Sequence, residues 1–224
     1  MASRLSIVVP ALNEAAGIRA ALDALVPLRA RGHEVIVVDG GSDDGTPELA
    51  APLSDQVLKS PRGRALQMNA GARAAQGDAL VFLHADTRLP PGADALVVQA
   101  LAHASWGRFD VAIDSPRRLL KLVGCAMNLR SRLTGIATGD QAIFVRREAF
   151  AAFPEIPLME DIAFSRLMRR RGRPACVRER VVTSARRWEA RGVLRTIVLM
   201  WRLRLLYALG IAPQRLAREY ADQR

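Results

Sequence analysis

The chain has 224 residues, half of them hydrophobic, and a formal net charge of +11; that length and apolar content exclude a disordered chain and support one large domain with a substantial core. The charge is lopsided: residues 1–112 hold 10 Lys and Arg against 12 Asp and Glu, whereas residues 113–224 hold 23 against 10, so any affinity for anionic lipid, nucleic acid or phosphorylated substrate belongs to the second half. Only two cysteines occur, Cys125 and Cys176, with no CxxC and no adjacent histidine, which argues against a disulfide framework or a structural zinc site.

In chain order, Leu5 to Val9 reads as a buried strand that empties into Pro10-Ala11-Leu12-Asn13-Glu14, followed by a helix at Glu14 to Leu25. No signal-peptide pattern precedes it, so the expected compartment is the cytoplasm. A second strand, Val35 to Val38, runs into Asp39-Gly40-Gly41-Ser42-Asp43-Asp44-Gly45-Thr46. Asp43 or Ser42 is the expected cap of the short helix Pro47 to Ala51, with Pro47 at an early helical position. A strand at Gln56 to Leu58 and a helix at Arg64 to Ala75 lead to Leu80 to Leu83, which ends in His84-Ala85-Asp86. Continuous apolar strands separated by helix-length segments indicate βαβ units, a parallel sheet, and strand ends gathered at one edge.

After Pro90-Pro91-Gly92 the expected elements are a helix at Asp94 to His103, a strand at Phe109 to Ile113 and a helix at Arg117 to Leu133. The strand Ala142 to Val145 follows Gly139-Asp140-Gln141, then come the helix Asp161 to Arg171 and the strand Ala175 to Val182. Residues 1–190 form one domain in this reading, and residues 191–224 a basic helical extension. Its segment 192–209 is apolar but carries Arg195, Arg202 and Arg204; a spanning helix needs about 20 largely uncharged residues, and each central arginine costs roughly 2.5 to 3.5 kcal/mol. The remaining choices are an interfacial helix on an anionic membrane, with Trp201 and Tyr207 at headgroup depth, or packing on its own domain or a second subunit in a homodimer. Arg195 and Arg202 share a stripe, and Arg204 points the other way.

Each strand end carries chemistry-bearing residues. A dehydrogenase site at Asp39 would need a glycine-rich turn after the first strand, and none is present. Asp86 suits a hard cation such as Mn²⁺ or Mg²⁺, which takes carboxylate oxygen and commonly bridges to phosphate; His84 either helps or orients the loop. Around Gly63, Arg62 and Arg64 offer fork-like contacts to phosphate. Glu160 and Asp161 open a helix, where a carboxylate is either dipole-stabilised or placed to accept a proton. Arg186, Arg187 and Trp188 set charge beside a flat aromatic surface.

Taken together, Val8 to Glu14, Val37 to Thr46, Gly71 to Asp78, His84-Ala85-Asp86 and Glu160-Asp161 resemble the family 2 glycosyltransferases of the GT-A fold, over at least residues 5 to 188. The resemblance implies an α/β architecture with a mostly parallel central sheet flanked by helices, a Rossmann-like nucleotide-binding half, and the basic C-terminal extension. It implies that Pro10, Asn13, Glu14 and Asp39 line a nucleoside pocket for a nucleotide-sugar, most often a UDP-sugar; one or more of Arg64, Arg186 and Arg187 is then expected to stabilise the departing diphosphate. Asp86 matches the last acid of the Asp-x-Asp motif and would hold Mn²⁺ or Mg²⁺; Asp161 matches the base; Gly139, Asp140, Gln141, Glu160 and Trp188 fall on the acceptor side, facing a small-molecule or lipid acceptor. The later segments resemble a bacterial subgroup called transferase 2, rSAM/selenodomain-associated. Two departures stand out: His84 replaces the first acid of Asp-x-Asp, and Ala185-Arg186-Arg187-Trp188 replaces Gln-x-x-Arg-Trp, which favours a single transfer over polymerisation. A sugar nucleotidyltransferase would carry a Gly-rich, Lys/Arg-containing signature near the first strand, absent here; a non-catalytic scaffold of the same fold is the other alternative. Nucleic-acid binding is disfavoured because the basic residues lack interleaved aromatics.

Overall fold

A computed structural model describes residues 4–222. Its strands are β1 (Leu5–Ala11), β2 (Glu34–Asp39), β3 (Gln56–Lys59), β4 (Ala79–Phe82), β5 (Thr87–Arg88), β6 (Trp106–Asp114), β7 (Ile143–Arg146) and β8 (Ala175–Ser184). The helices are α1 (Ala15–Asp23), α2 (Val26–Ala30), α3 (Thr46–Ala50), α4 (Arg64–Ala74), α5 (Ala93–His103), α6 (Arg118–Thr134), α7 (Glu160–Met168), α8 (Arg186–Arg191), α9 (Val193–Ala208) and α10 (Pro213–Asp222).

The eight strands form one sheet in the order β3-β2-β1-β4-β7-β6-β8-β5. β3, β2, β1 and β4 run parallel, β7 is antiparallel to β4 and β6, and β6 and β8 are again parallel. The strands read as unbroken apolar runs because both faces are covered. Ile7, Val9, Val35, Val37 and Val81 fall in one buried cluster with Ile18, Leu22 and Val97 of α1 and α5. Val8, Ile36, Val38, Leu80 and Phe82 alternate into a second with Met68 of α4 and Phe164 of α7. Gly71 lets α4 lie directly on β1 and β2: a Cβ there would come 2.4 Å from Val8 Cγ1 and 3.0 Å from Val38 Cγ2.

Several local expectations change. The first helix ends at Asp23, and α2 begins anew with Pro27 in its first turn. Neither Ser42 nor Asp43 caps α3. Gly45 holds the N-cap in the left-handed conformation, and Asp44 accepts from both Thr46 N–H and the Thr46 hydroxyl; Pro47 does sit in the first turn. Arg186 to Trp188 open the short helix α8. On α9, Arg204 is half-buried while Arg195 and Arg202 are exposed, which agrees with the expected stripes. No helix among the described residues is long and apolar enough to cross a membrane.

Candidate functional site

The loops after β1 and β2 are built as one unit. Asn13 takes φ +54°, so its backbone turns sharply out of β1. Its N–H donates to Ser42 Oγ at 2.9 Å, its side-chain oxygen accepts from Asp43 N–H, and Glu14 N–H and Ala15 N–H donate to Thr46 Oγ1 and Asp44. The Thr46 hydroxyl and the Ala15 N–H hold the Asp44 carboxyl below its ordinary pKa. Asp39, 2 % exposed, accepts from the N–H of Gly41 and Ser42 and from Ser42 Oγ at 2.5 Å. Beneath both loops Gln67 of α4 donates to Ala11 O and Val38 O at 2.7 and 2.8 Å.

Asp86 is anchored through the strand on its C-terminal side. Thr87 N–H closes a turn on His84 O, β5 pairs with β8, and Ser184 N–H donates to Asp86 O at 3.1 Å. A two-residue strand at the sheet edge therefore aims the Asp86 loop into the cleft.

Glu160 and Asp161 open α7 after Met159, whose φ of +68° makes the turn. Asp161 accepts from Ile162 N–H at 2.7 Å and Gly139 N–H at 3.1 Å. Glu160 is buried, and its carboxylate lies 3.1 Å from Arg64 Nε. Burial pushes the Glu160 carboxyl above its ordinary pKa, against the pull of Arg64. Thr138 and Gln141 form a reciprocal capping box around the turn Gly139–Gln141. His84 Nδ1 lies 3.4 Å from Asp140 Oδ1, and its ring rests against Gly139, where a Cβ would come 2.4 Å from Nε2.

Two cavities meet here. A cleft of about 650 Å³ is lined by Pro10, Asn13, Glu14, Arg64, His84 and Asp86 among others. A pocket of about 100 Å³ adjoins it, bordered by Gly139, Asp140, Glu160, Asp161, Trp188 and Arg204. Arg64, His84, Asp86, Leu158 and Tyr220 border both. Of the expected donor-side residues, Pro10, Asn13, Glu14, Arg64 and Asp86 line the cleft, and of the acceptor-side ones Gly139, Asp140, Glu160 and Trp188 border the pocket. Asp39 and Gln141 are buried and line neither, and Arg186 lines neither as well. Arg186 bridges to Glu14 Oε2 at 2.8 Å, which raises its pKa. Arg187 lies in α8, and its side chain falls outside what the structure describes.

The sequence reading missed Tyr220 of α10, Thr183 and Ser184 of β8, and Thr196 and Met200 of α9, which line the pocket. Arg204 carried a signal, since it faces away from the other arginines of its helix. Among the described residues no group of three or more His, Cys, Asp or Glu could hold a metal alone. Asp86, on the wall of both cavities, does fit a hard cation that completes its shell with water and phosphate oxygen.

The sequence matches the family model described as Glycosyl transferase family 2 over residues 6–151. An undecaprenyl-phosphate 4-deoxy-4-formamido-L-arabinose transferase of Yersinia pestis is 27% identical over 160 residues, covering 64% of this chain and 48% of the relative. A PGL/p-HBAD biosynthesis glycosyltransferase of Mycobacterium bovis is 37% identical over 95 residues, 39% of this chain and 37% of the relative. The chain spans less than half the length of these curated relatives. Among solved structures, the Mycobacterium tuberculosis glucosyl-3-phosphoglycerate synthase superposes with a TM-score of 0.61 at 23% identity, over 81% of this chain and 71% of that one. That synthase has been solved with Mn²⁺, UDP and glucosyl-3-phosphoglycerate, and with Mg²⁺ and UDP. A mannosyltransferase from Pyrobaculum calidifontis in complex with GDP-Man and Mn²⁺ gives a TM-score of 0.61 at 23% identity, over 81% and 57% of the two chains. The sheet and its flanking helices are those of the GT-A fold.

Proposed function

The chain belongs to glycosyl transferase family 2, and we propose from that premise that it transfers a sugar, with inversion, from a nucleotide-sugar to an acceptor hydroxyl. The observation that carries this reading is the paired compartments, with Asn13, Glu14, Arg64 and Asp86 in the larger and Asp161 in the smaller. The donor is a nucleoside-diphosphate sugar, UDP-linked by preference, and the acceptor a small or lipid-like molecule.

Asp161 is the base. Two backbone N–H groups orient its carboxylate and leave each oxygen a lone pair to take the acceptor proton. The acceptor oxygen bonds to the anomeric carbon as the bond from that carbon to the diphosphate breaks. Arg64 and Arg186, steadied by Glu160 and Glu14, and Arg187, next to Arg186 in sequence, offset the charge that leaves with the nucleoside diphosphate. Asp86 would hold Mn²⁺ or Mg²⁺ together with the diphosphate, and such an ion would supply Lewis-acid stabilisation of the leaving group. The missing Gln-x-x-Arg-Trp pattern favours one transfer per acceptor, and we assign the chain to the rSAM/selenodomain-associated subgroup.

We place residues 1–190 as the transferase domain and 191–224 as the extension that seats it at the cytoplasmic membrane surface. Among the described residues, nine of the eleven exposed large hydrophobics lie along α6 and α9 or at the end of α9, with Trp201 72 % exposed. Arg118, Lys121, Arg195 and Arg202 stand beside them, a charge pattern suited to anionic lipid rather than to a second, equally basic copy.

The test is a thermal-shift screen of nucleotide-sugars with and without Mn²⁺, because a ligand that binds only the folded chain raises its melting temperature. A shift with one nucleotide class that disappears with EDTA or Asp86→Ala is expected; no shift with any donor overturns the reading. Flotation with anionic vesicles, and none with neutral ones, checks the membrane seat. A stable dimer in detergent-free solution would replace it.

A further inference from the structure

Two half-buried arginines, one on the wall of the acceptor compartment and one close to it, have guanidinium nitrogens that are shielded and unsatisfied. Arg204 of α9 lines the small pocket alongside Asp161, Gly139 and Trp188. Arg130 of α6 does not border the pocket but is close enough to Arg204, Asp161 and Asp140 to feel their charges. Arg130 Nε and Nη2 and Arg204 Nε are shielded from solvent and have no hydrogen-bond partner among the described residues. Burial, then the neighbouring charge of Arg204, pulls the Arg130 pKa down to about 10, and burial lowers that of Arg204. Guanidinium N–H groups left buried without acceptors are costly, and two like charges side by side add to the cost. The nearby carboxylate of Asp161 is engaged by backbone N–H groups. Two such groups on different helices, Arg204 on the pocket wall and Arg130 near it, leave N–H donors that an incoming anion could satisfy.

We propose that Arg130 and Arg204 form a phosphate-binding subsite, and that the acceptor is a phosphate monoester whose anionic group docks there while its hydroxyl reaches Asp161. This rests on the transferase reading above and deepens it. Two planar forks suit the three terminal oxygens of a monoester, where a carboxylate would occupy only one of them. A pocket of about 100 Å³ has room for such a group and little more. The monoester belongs either to a soluble metabolite or to a lipid headgroup, since α6 and α9 also carry the exposed apolar face.

The experiment titrates methyl phosphate calorimetrically into the full chain saturated with UDP and Mn²⁺, so that diphosphate contacts are already filled. Wild type is expected to bind, and Arg130→Met and Arg204→Met to bind at least tenfold more weakly, with UDP affinity within twofold of wild type. Because each substitution removes an unsatisfied charge, melting temperatures are expected to hold or rise; a merely structural pair would lower them. Arg204→Lys, which keeps the charge but not the fork, serves if either Met variant fails to fold and is expected to be intermediate. Sedimentation with phosphatidate against phosphatidylglycerol vesicles separates the sources: an excess on phosphatidate that the Met variants lose marks a lipid headgroup, and methyl phosphate binding without it marks a soluble ester. Methyl phosphate and phosphatidate that bind equally to wild type and variants, or not at all, overturn the subsite. Should UDP itself not bind, the donor reading fails separately, and the same titration on the free chain still decides this one.

Discussion

The first hundred residues and the acceptor side treat charge in opposite ways. In the nucleotide half, the shifted carboxylates are all stabilised as anions: Asp44 by Thr46, Asp55 by Arg29 against its burial, Asp94 by Arg31 and His33 against its burial. On the acceptor side Glu160 is pushed toward its neutral form, and Arg130 and Arg204 are held where their charge is penalised. One half is a finished scaffold; the other stores electrostatic tension where substrates are expected. Perturbed groups of that kind cluster at functional sites.

The strongest way to break the comparison is Asp161→Asn. Transfer is expected to fall by about 10²–10⁴-fold, the range typical for loss of a general base, with UDP affinity unchanged; near-normal turnover would move the base elsewhere. Gln67→Leu attacks the scaffold instead. Losing its two buried hydrogen bonds to Ala11 O and Val38 O is expected to cost about 1–3 kcal/mol, read from urea unfolding, and to loosen donor binding with it.

The pH dependence of stability separates the halves by sign. Asp94 is held at about 2, below the ordinary 3.8, so its contribution is complete above pH 3.8 and is lost as pH falls toward 2. Asp94→Asn is expected to flatten that acid limb by about 1–2 kcal/mol. Glu160 is raised above 4.5, so its contribution is complete below pH 4.5 and is lost as pH rises through the folded-state value; Glu160→Gln is expected to remove that loss. Parallel slopes for the two variants would erase the contrast. The smallest effect is expected from Trp201→Ala, within about 0.5 kcal/mol in solution because the ring is exposed, while binding to anionic vesicles drops.

The strands and most helices were legible because two-sided burial leaves an unmistakable run such as Val35 to Val38, and because Gly and Pro mark the loops. The caps were less so: a serine and three aspartates crowd residues 39–44, and only the hydrogen bonds within this loop and across to Asn13 decide that Asp44 serves Thr46 while Ser42 serves Asn13 and Asp39. The two residues of β5 have no pattern of their own; β8, nearly a hundred positions on, makes them a strand. Tyr220 and the partnership of Arg130 with Arg204 are products of helix packing across distant segments, and no local spacing announces them. The roles proposed for Asp86 and Asp161 rest on family likeness, since either acid alone could be a loop or helix-start residue.

Gly71 carries a consequence for motion. With no side chain between α4 and β1, the helix that bears Arg64 and Gln67 has no cushion on which to slide. Opening it means exposing Val8 and Val38 at the same moment. In native-state hydrogen exchange the amides of β1, β2 and α4 should therefore behave as one cooperative unit, protected to nearly the same free energy, whereas α9 and α10, joined to the body through two smaller clusters, around Leu158, Ile162 and Leu203 and around Leu120 and Val193, exchange first.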